Sequence, residues 1–242
     1  MIDTADNSLA TSTASYPIVV RDLGHWFGED EARKQVLFDL DFAVDAGKLT
    51  VLMGASGSGK TTLLTLMGCL RRVEQGSVML LGSELHGASE PTLVEKRRHL
   101  GFIFQAHNLH DSLTAMQNVR MGLEVHGERA MAHWQDAAAH LLSALGLQER
   151  LDYLPAKLSG GQKQRVAVAR ALVGNPDIVF ADEPTAALDK DTGAVVVHML
   201  KQLGRERGTT TVMVTHDNRI LELADRIITL EDGRIVDDLR RP

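Results

Sequence analysis

Apolar residues along this chain fall into short runs of two kinds, alternating and helical. Residues 18–23 alternate and are rich in β-branched side chains, which predicts a strand. Residues 49–53 form a short apolar run closed by a glycine-rich turn, and residues 61–70 then follow with helical periodicity. Further strands are predicted at 76–81 and 101–104. From 115 to 147 the pattern turns helical and alanine-rich, with polar breaks near His126, Gly127 and Gly146. A helix is predicted over 166–173, a buried strand at 178–181 and another strand at 211–214. Residues 226–230 and 234–237 flank Asp232-Gly233, a strong hairpin signal.

Strands thus alternate with helices at both ends of the chain, around a helical block. That order predicts an α/β fold with a parallel core sheet and an inserted helical subdomain at about 106–172, inside one domain over 16–242. The composition fits a chain with a sizeable core: 242 residues, 44% hydrophobic and 24% charged. A net charge of −6 gives no bulk basic signal, so no nucleic-acid partner is expected. The single cysteine, Cys69, excludes an internal disulfide and a cysteine-rich metal site. The most apolar stretch, around 166–181, is interrupted by Arg170, Asn175, Pro176 and Asp177, so no membrane span is expected. Residues 1–15 are polar, carry Asp3 and Asp6 and lack a basic start, which predicts a disordered tail rather than a signal peptide. Work at a membrane would therefore require docking to another subunit.

The chemistry begins at Gly54, which is followed by four residues and then Gly59-Lys60-Thr61, between a predicted strand and a predicted helix. Glycines let backbone N–H groups curl around phosphate oxygens, and the helix N-terminus adds partial positive charge. Contacts to a nucleotide are expected from Gly54, Ser56, Gly57, Ser58, Gly59, Lys60, Thr61 and Thr62. Lys60 reaches the β- and γ-phosphates, and the Thr61 hydroxyl suits Mg²⁺, a hard ion that prefers oxygen. The buried strand at 178–181 ends in Asp182-Glu183. Asp182 is expected to hold Mg²⁺ and Glu183 to polarise the attacking water, although spacing alone does not separate the two roles. A second anion-binding helix start is expected at Leu158-Ser159-Gly160-Gly161-Gln162, with Ser159 as N-cap of a helix beginning near Lys163. His107, His110 and Asn108 lack a carboxylate or cysteine at ligand spacing, so they are not read as a metal site. His126, His133 and His140 are expected on solvated helix positions.

These motifs together resemble the nucleotide-binding subunit of ABC transporters, over about 18–238. The chain has the Walker A loop (54–61), Gln105 at the Q-loop position, the LSGGQ signature (158–162) and Walker B ending at Asp182-Glu183. A D-loop follows at Ala187-Leu188-Asp189, and His216 stands at the switch position. The resemblance implies a P-loop NTPase of ABC type with an added antiparallel β subdomain, acting as an Mg-ATP-dependent ATPase. It implies that Gln105 touches Mg²⁺ and the attacking water, that His216 contacts the γ-phosphate, and that Phe27 stacks on adenine, with Trp26 as the alternative. It further implies a homodimer in the ATP-bound state, in which Ser159, Gly160, Gly161 and Gln162 of one copy cover the ATP held by Lys60 of the other, with Asp189 at the joint. Two positions depart from the common pattern: Ala55 replaces a frequent proline, and Ala187 a frequent serine or glycine.

Residues 25–28, 33–38, 104–109 and 112–119 resemble the DevA-type ATPases of heterocyst-glycolipid exporters, a group within the macrolide-exporter and lipoprotein-release family. That resemblance implies a peripheral subunit on the cytoplasmic face of the inner membrane, with a separate transmembrane permease, a periplasmic adaptor and an outer-membrane duct, exporting a lipid-like or amphiphilic cargo. The alternative is a regulatory ABC ATPase that signals through a permease-like partner to cell-wall hydrolases without transport.

Overall fold

The computed structural model describes residues 16–127 and 131–241, so the tail read at 1–15 lies outside the described residues. Among them, strands form two sheets. One is antiparallel, in the order β2 (Lys34–Val44), β1 (Ile18–Phe27), β4 (Gln75–Leu80), β5 (Ser83–Glu84). The other runs β10 (Arg234–Arg240), β9 (Arg226–Glu231), β3 (Leu49–Met53), β8 (Thr210–Val214), β7 (Ile178–Asp182), β6 (Leu100–Ile103). Its pairings are parallel from β9 to β6, and only β10 is antiparallel. The fold is thus the α/β P-loop arrangement of the ABC type, with its mostly parallel core sheet and added antiparallel sheet.

Both faces of the parallel strands are covered, which is why they read as near-continuous apolar runs. Alternate residues join different cores. Val51, Val179, Ala181 and Met213 face one apolar cluster, which also holds Val119, Leu142, Val166 and Val168 from the helical block. Leu52, Phe180, Val212 and Val214 face the other, with Leu63 and Leu66 of α1 (Lys60–Met67) and Val20, Leu40 and Val78 of the antiparallel sheet. The core sheet therefore joins the two flanking layers.

Between β6 and β7 lie α3 (Ala115–Arg120), a 3-10 segment (Met121–His126), α4 (Trp134–Ala144) and α5 (Gly160–Leu172). The breaks expected near His126, Gly127 and Gly146 separate these pieces. The helix expected from Lys163 begins three residues earlier, because Ser159 and Gln162 cap it reciprocally. The first strand runs on to Phe27, past the expected 23. The longest elements absent from the sequence reading are β2, α2 (Glu90–Arg97) and α6 (Lys190–Arg207). In β1 and β2 the register shifts near Asp22 and Asp39, both at positive φ, interrupt the two-residue alternation. In α6, Thr192, Gly193 and three consecutive valines are poor helix formers. The Asp189 cap and the burial of Val196, Val197 and Leu200 override them.

Candidate functional site

Strand register brings the candidate residues to one end of the parallel sheet. Leu52 pairs with Val214, Val214 with Asp182, and Ala181 with Ile103. Gly54, Glu183, His216 and Gln105 therefore leave neighbouring strands at nearly the same level, outside their carboxyl ends. This is where open α/β sheets bind ligands.

The loop after β3 is held open by glycines at positive φ: Gly54 at 140°, Gly57 at 83° and Gly59 at 99°. At Gly54 the requirement is also steric, since a Cβ would lie 2.0 Å from the Leu230 carbonyl oxygen. The β9–β10 turn supports the loop from below: Gly233 N–H donates to the Ser58 carbonyl (3.2 Å), and Phe38 N–H to the Gly233 carbonyl (2.9 Å). Lys60 is 6% exposed. Its Nζ donates to the carbonyls of Gly54 (2.9 Å) and Ala55 (2.7 Å), and lies 3.4 Å from Ser58 Oγ. Burial lowers the Lys60 pKa, and the carboxylates of Glu183 and Asp182 act against that shift. Ser58 is buried, Thr62 half-buried, and Ser56, Gly57 and Thr61 face solvent. A Cβ at Gly57 would meet nothing within 4 Å, so the loop is open to solvent at this position.

Thr61 Oγ1 donates to Asp182 Oδ2 at 3.0 Å, joining the start of α1 to the end of β7. A hydroxyl and a carboxylate converging at one point are the oxygen ligands Mg²⁺ prefers, so these residues fit that ion. Glu183 is left-handed (φ 50°) and its N–H donates to the Val214 carbonyl (2.9 Å), which turns its side chain off the strand. The side chain is only 15% exposed, and His216 Nε2 lies 3.2 Å from its Oε1. That approach lacks hydrogen-bonding direction, and Oε1 is buried without a partner. Burial pushes the Glu183 carboxyl above its ordinary pKa, with the charge of His216 the largest opposing influence. An under-satisfied carboxylate beside an exposed imidazole can accept a proton from water held between them and the phosphate loop.

Gln105 is exposed in the turn after β6. The carbonyls of His107 and Asn108 that follow it are both bound by Arg170 of α5, at 2.8 and 2.6 Å. Ser159 Oγ accepts from Gln162 N–H (3.2 Å), and Gln162 Oε1 accepts from Ser159 N–H (2.9 Å). Both polar side chains of the signature thus serve as a helix cap in this state. Gly160 is open, whereas a Cβ on Gly161 would meet the Ala187 carbonyl at 3.2 Å, so the signature packs on the D-loop of its own chain. Asp189 caps α6, accepting from Thr192 N–H (3.0 Å) and Thr192 Oγ1 (2.8 Å), and these bonds lower its pKa.

Phe27 is 37% exposed at the end of β1 and sits edge-to-face on His25 (5.1 Å between centroids). His25 pairs across the sheet with Leu37, which lies against Gly59. Phe27 is therefore on the phosphate-loop side. Trp26 instead packs toward Gly24 and lies under the Arg33 guanidinium (4.9 Å). Arg170 and the support from Gly233 were not expected from sequence. The signal for Arg170 was present, as a single charge inside the otherwise apolar run 166–173.

Comparisons with known proteins agree with this geometry. A family profile described as "ABC transporter" matches residues 37–186. The chain is 44% identical over 230 residues to the macrolide export ATP-binding/permease protein MacB of Bordetella avium, covering 94% of this chain and 35% of that one. It thus spans about a third of the length of such relatives. It is 41% identical to YbbA of Escherichia coli K12, an ABC transporter ATP-binding protein, covering 91% of this chain and 97% of that one. The dimeric structure of the ATP-binding cassette MJ0796 bound to ADP and phosphate superimposes with a TM-score of 0.88 at 35% identity, covering 93% of this chain and 99% of that one.

Proposed function

The chain belongs to the ABC transporter family of ATP-binding proteins, and from that premise we propose that it is the energising subunit of a membrane exporter. As an ABC ATPase domain it binds ATP with Mg²⁺ and hydrolyses it to ADP and phosphate. The observation that carries the residue assignments is the convergence of Lys60, Thr61, Asp182, Glu183 and His216 outside adjoining strand ends.

In this reading the loop from Gly54 to Thr62 cradles the phosphates, with Lys60 exchanging its carbonyl partners for phosphate oxygens. Thr61, Asp182 and Gln105 would hold Mg²⁺, which would neutralise phosphate charge. Glu183 accepts the proton of the attacking water, and His216 orients the γ-phosphate. Phe27, on the phosphate-loop side, stacks on the base. The domain spans 16–242, with a helical subdomain at about 106–172. Ser159, Gly160, Gly161 and Gln162 lie at an accessible helix start, placed to cover the nucleotide of a second copy, with Asp189 beside them. The dimeric state of MJ0796 supports that arrangement.

A groove of about 360 Å³ lined by Phe102, Phe104, Asn108, Val125, His126 and Arg170 lies beside the Q-loop segment. It is the surface we assign to a transmembrane permease. Among the described residues no helix is long and apolar enough to cross a membrane. In this reading, which follows the DevA-type resemblance, the ATPase sits peripherally on the cytoplasmic face of the inner membrane and works with a permease on a separate chain. The name of MacB supports export, and the DevA-type resemblance of 104–119 supports a lipid-like or amphiphilic cargo with a periplasmic adaptor and an outer-membrane duct.

The test is capture of tagged Glu183→Gln protein from membranes in Mg-ATP. A permease recovered together with a periplasmic adaptor supports the exporter. Cell-wall hydrolases in place of the adaptor would overturn it in favour of signalling.

A further inference from the structure

The contacts of Phe27 go beyond what stacking requires. The guanidinium carbon of Arg71 lies 4.7 Å from the Phe27 ring centroid, over its face. His25 meets the same ring edge-on, at 90° between planes. His25 is 5% exposed, and neither ring nitrogen has a hydrogen-bond partner. Burial, the largest influence, lowers its pKa, with nearby Glu74 acting to raise it and Arg71 to lower it. A neutral imidazole without polar partners packs as a plain aromatic ring. Phe27 is thus held on one face by a cation and by a second ring set perpendicular to it, while 37% of it stays exposed.

Arg71 is delivered by the helix that opens with the phosphate loop. It follows α1, and its N–H donates to the Thr65 carbonyl (3.2 Å), as does that of Leu70 (2.9 Å). One rigid element therefore sets both Lys60 at its start and the guanidinium under Phe27 just past its end. A ring held this way keeps its free face at a fixed distance from the phosphate loop. It has also lost part of its motion before any ligand arrives, which reduces the entropy cost of stacking.

We propose that Arg71 is a positioning residue for nucleobase binding: with His25 it clamps Phe27 from behind, so that the open face of the ring receives the adenine of ATP. The clamp rests on the assignment of Phe27 as the stacking residue, and the experiment separates the two. The whole chain is used, with equilibrium binding of Mg-ATP and of inorganic tripolyphosphate, which has no base. Arg71→Gln keeps a polar side chain, shorter by two bonds, but removes the charge; it is expected to weaken ATP binding roughly three- to fivefold and leave tripolyphosphate binding unchanged. Arg71→Lys restores the cation and should return ATP affinity to within about twofold of the parent. Phe27→Ala should weaken ATP more than either, again without effect on tripolyphosphate.

If Phe27→Ala weakens ATP and Arg71→Gln does not, the clamp is overturned and stacking stands. If Phe27→Ala has no effect, the stacking assignment fails and the clamp with it. If Arg71→Gln weakens both ligands alike, Arg71 acts on phosphate charge, and the proposal is equally overturned. Thermal melts of each variant identify loss of fold.

Discussion

Glu183 combines a left-handed backbone, a mostly buried side chain and an oxygen with no hydrogen bond. The fold tolerates this residue at some cost to its stability. Its folded-state pKa is raised, so the folded chain holds that proton more readily than the unfolded chain. The penalty is therefore absent at low pH, develops as pH rises through the ordinary carboxylate range, and is complete above the raised folded value. Glu183→Gln removes it. The variant should melt roughly 1–4 °C higher than the parent at neutral pH without nucleotide, with the gap closing as the pH is lowered. Its steady-state ATP turnover should meanwhile fall by at least about a hundredfold. Calorimetry and phosphate release check the two halves, and an equal or lower melting temperature would show that Glu183 carries no stored penalty. The identity and order of these residues were legible in sequence because a phosphate loop imposes rigid spacing. Conformation was not, since nothing in the residues 182–183 indicates which carboxylate loses its partners.

Arg170 acts between elements. It lies in α5 and binds two carbonyls of the segment that follows Gln105, so movement of the signature helix pulls directly on the Q-loop. Burial lowers its pKa, and its charge is balanced by carbonyl dipoles. Arg170→Met keeps the apolar stem and removes both bonds. Amide hydrogen exchange at 105–110 should rise about tenfold while monomer affinity for ATP is unchanged; unaltered exchange would show that the segment is held by other contacts. Elements with a plain periodic signal, such as β3, β7, β8 and the β9–β10 hairpin, were readable from sequence. Two classes were not. Strand β2, and β1 beyond residue 23, run across bulges at Asp22 and Asp39 that break alternation. Helix α6 is locally strand-like and becomes helical through its cap and its buried face, information that tertiary contact supplies and residue order does not.

Within a single chain, the signature residues and the phosphate loop belong to different layers. The signature caps α5 in the helical block, and the loop opens α1 on the other side of the sheet. On the proposed reading, a second copy completes the site. In a Glu183→Gln background, Mg-ATP should shift the chain from monomer to dimer by light scattering. Adding Ser159→Arg should abolish that shift while leaving ATP binding by the monomer intact; a double variant that still dimerises would contradict the shared site. The overall architecture followed from the alternation of strands and helices, whereas the placement of the antiparallel sheet beside α1 came only with the structure. That placement bears on how the molecule is made. Gly54 packs on the Leu230 carbonyl, and Ser58 receives the Gly233 N–H, so the phosphate loop rests on backbone synthesised some 175 residues later. A nascent chain on the ribosome has the loop sequence early but lacks this support until residue 233 has emerged. Loop-closure entropy delays that contact further, so nucleotide capture is withheld until the last strands are in place.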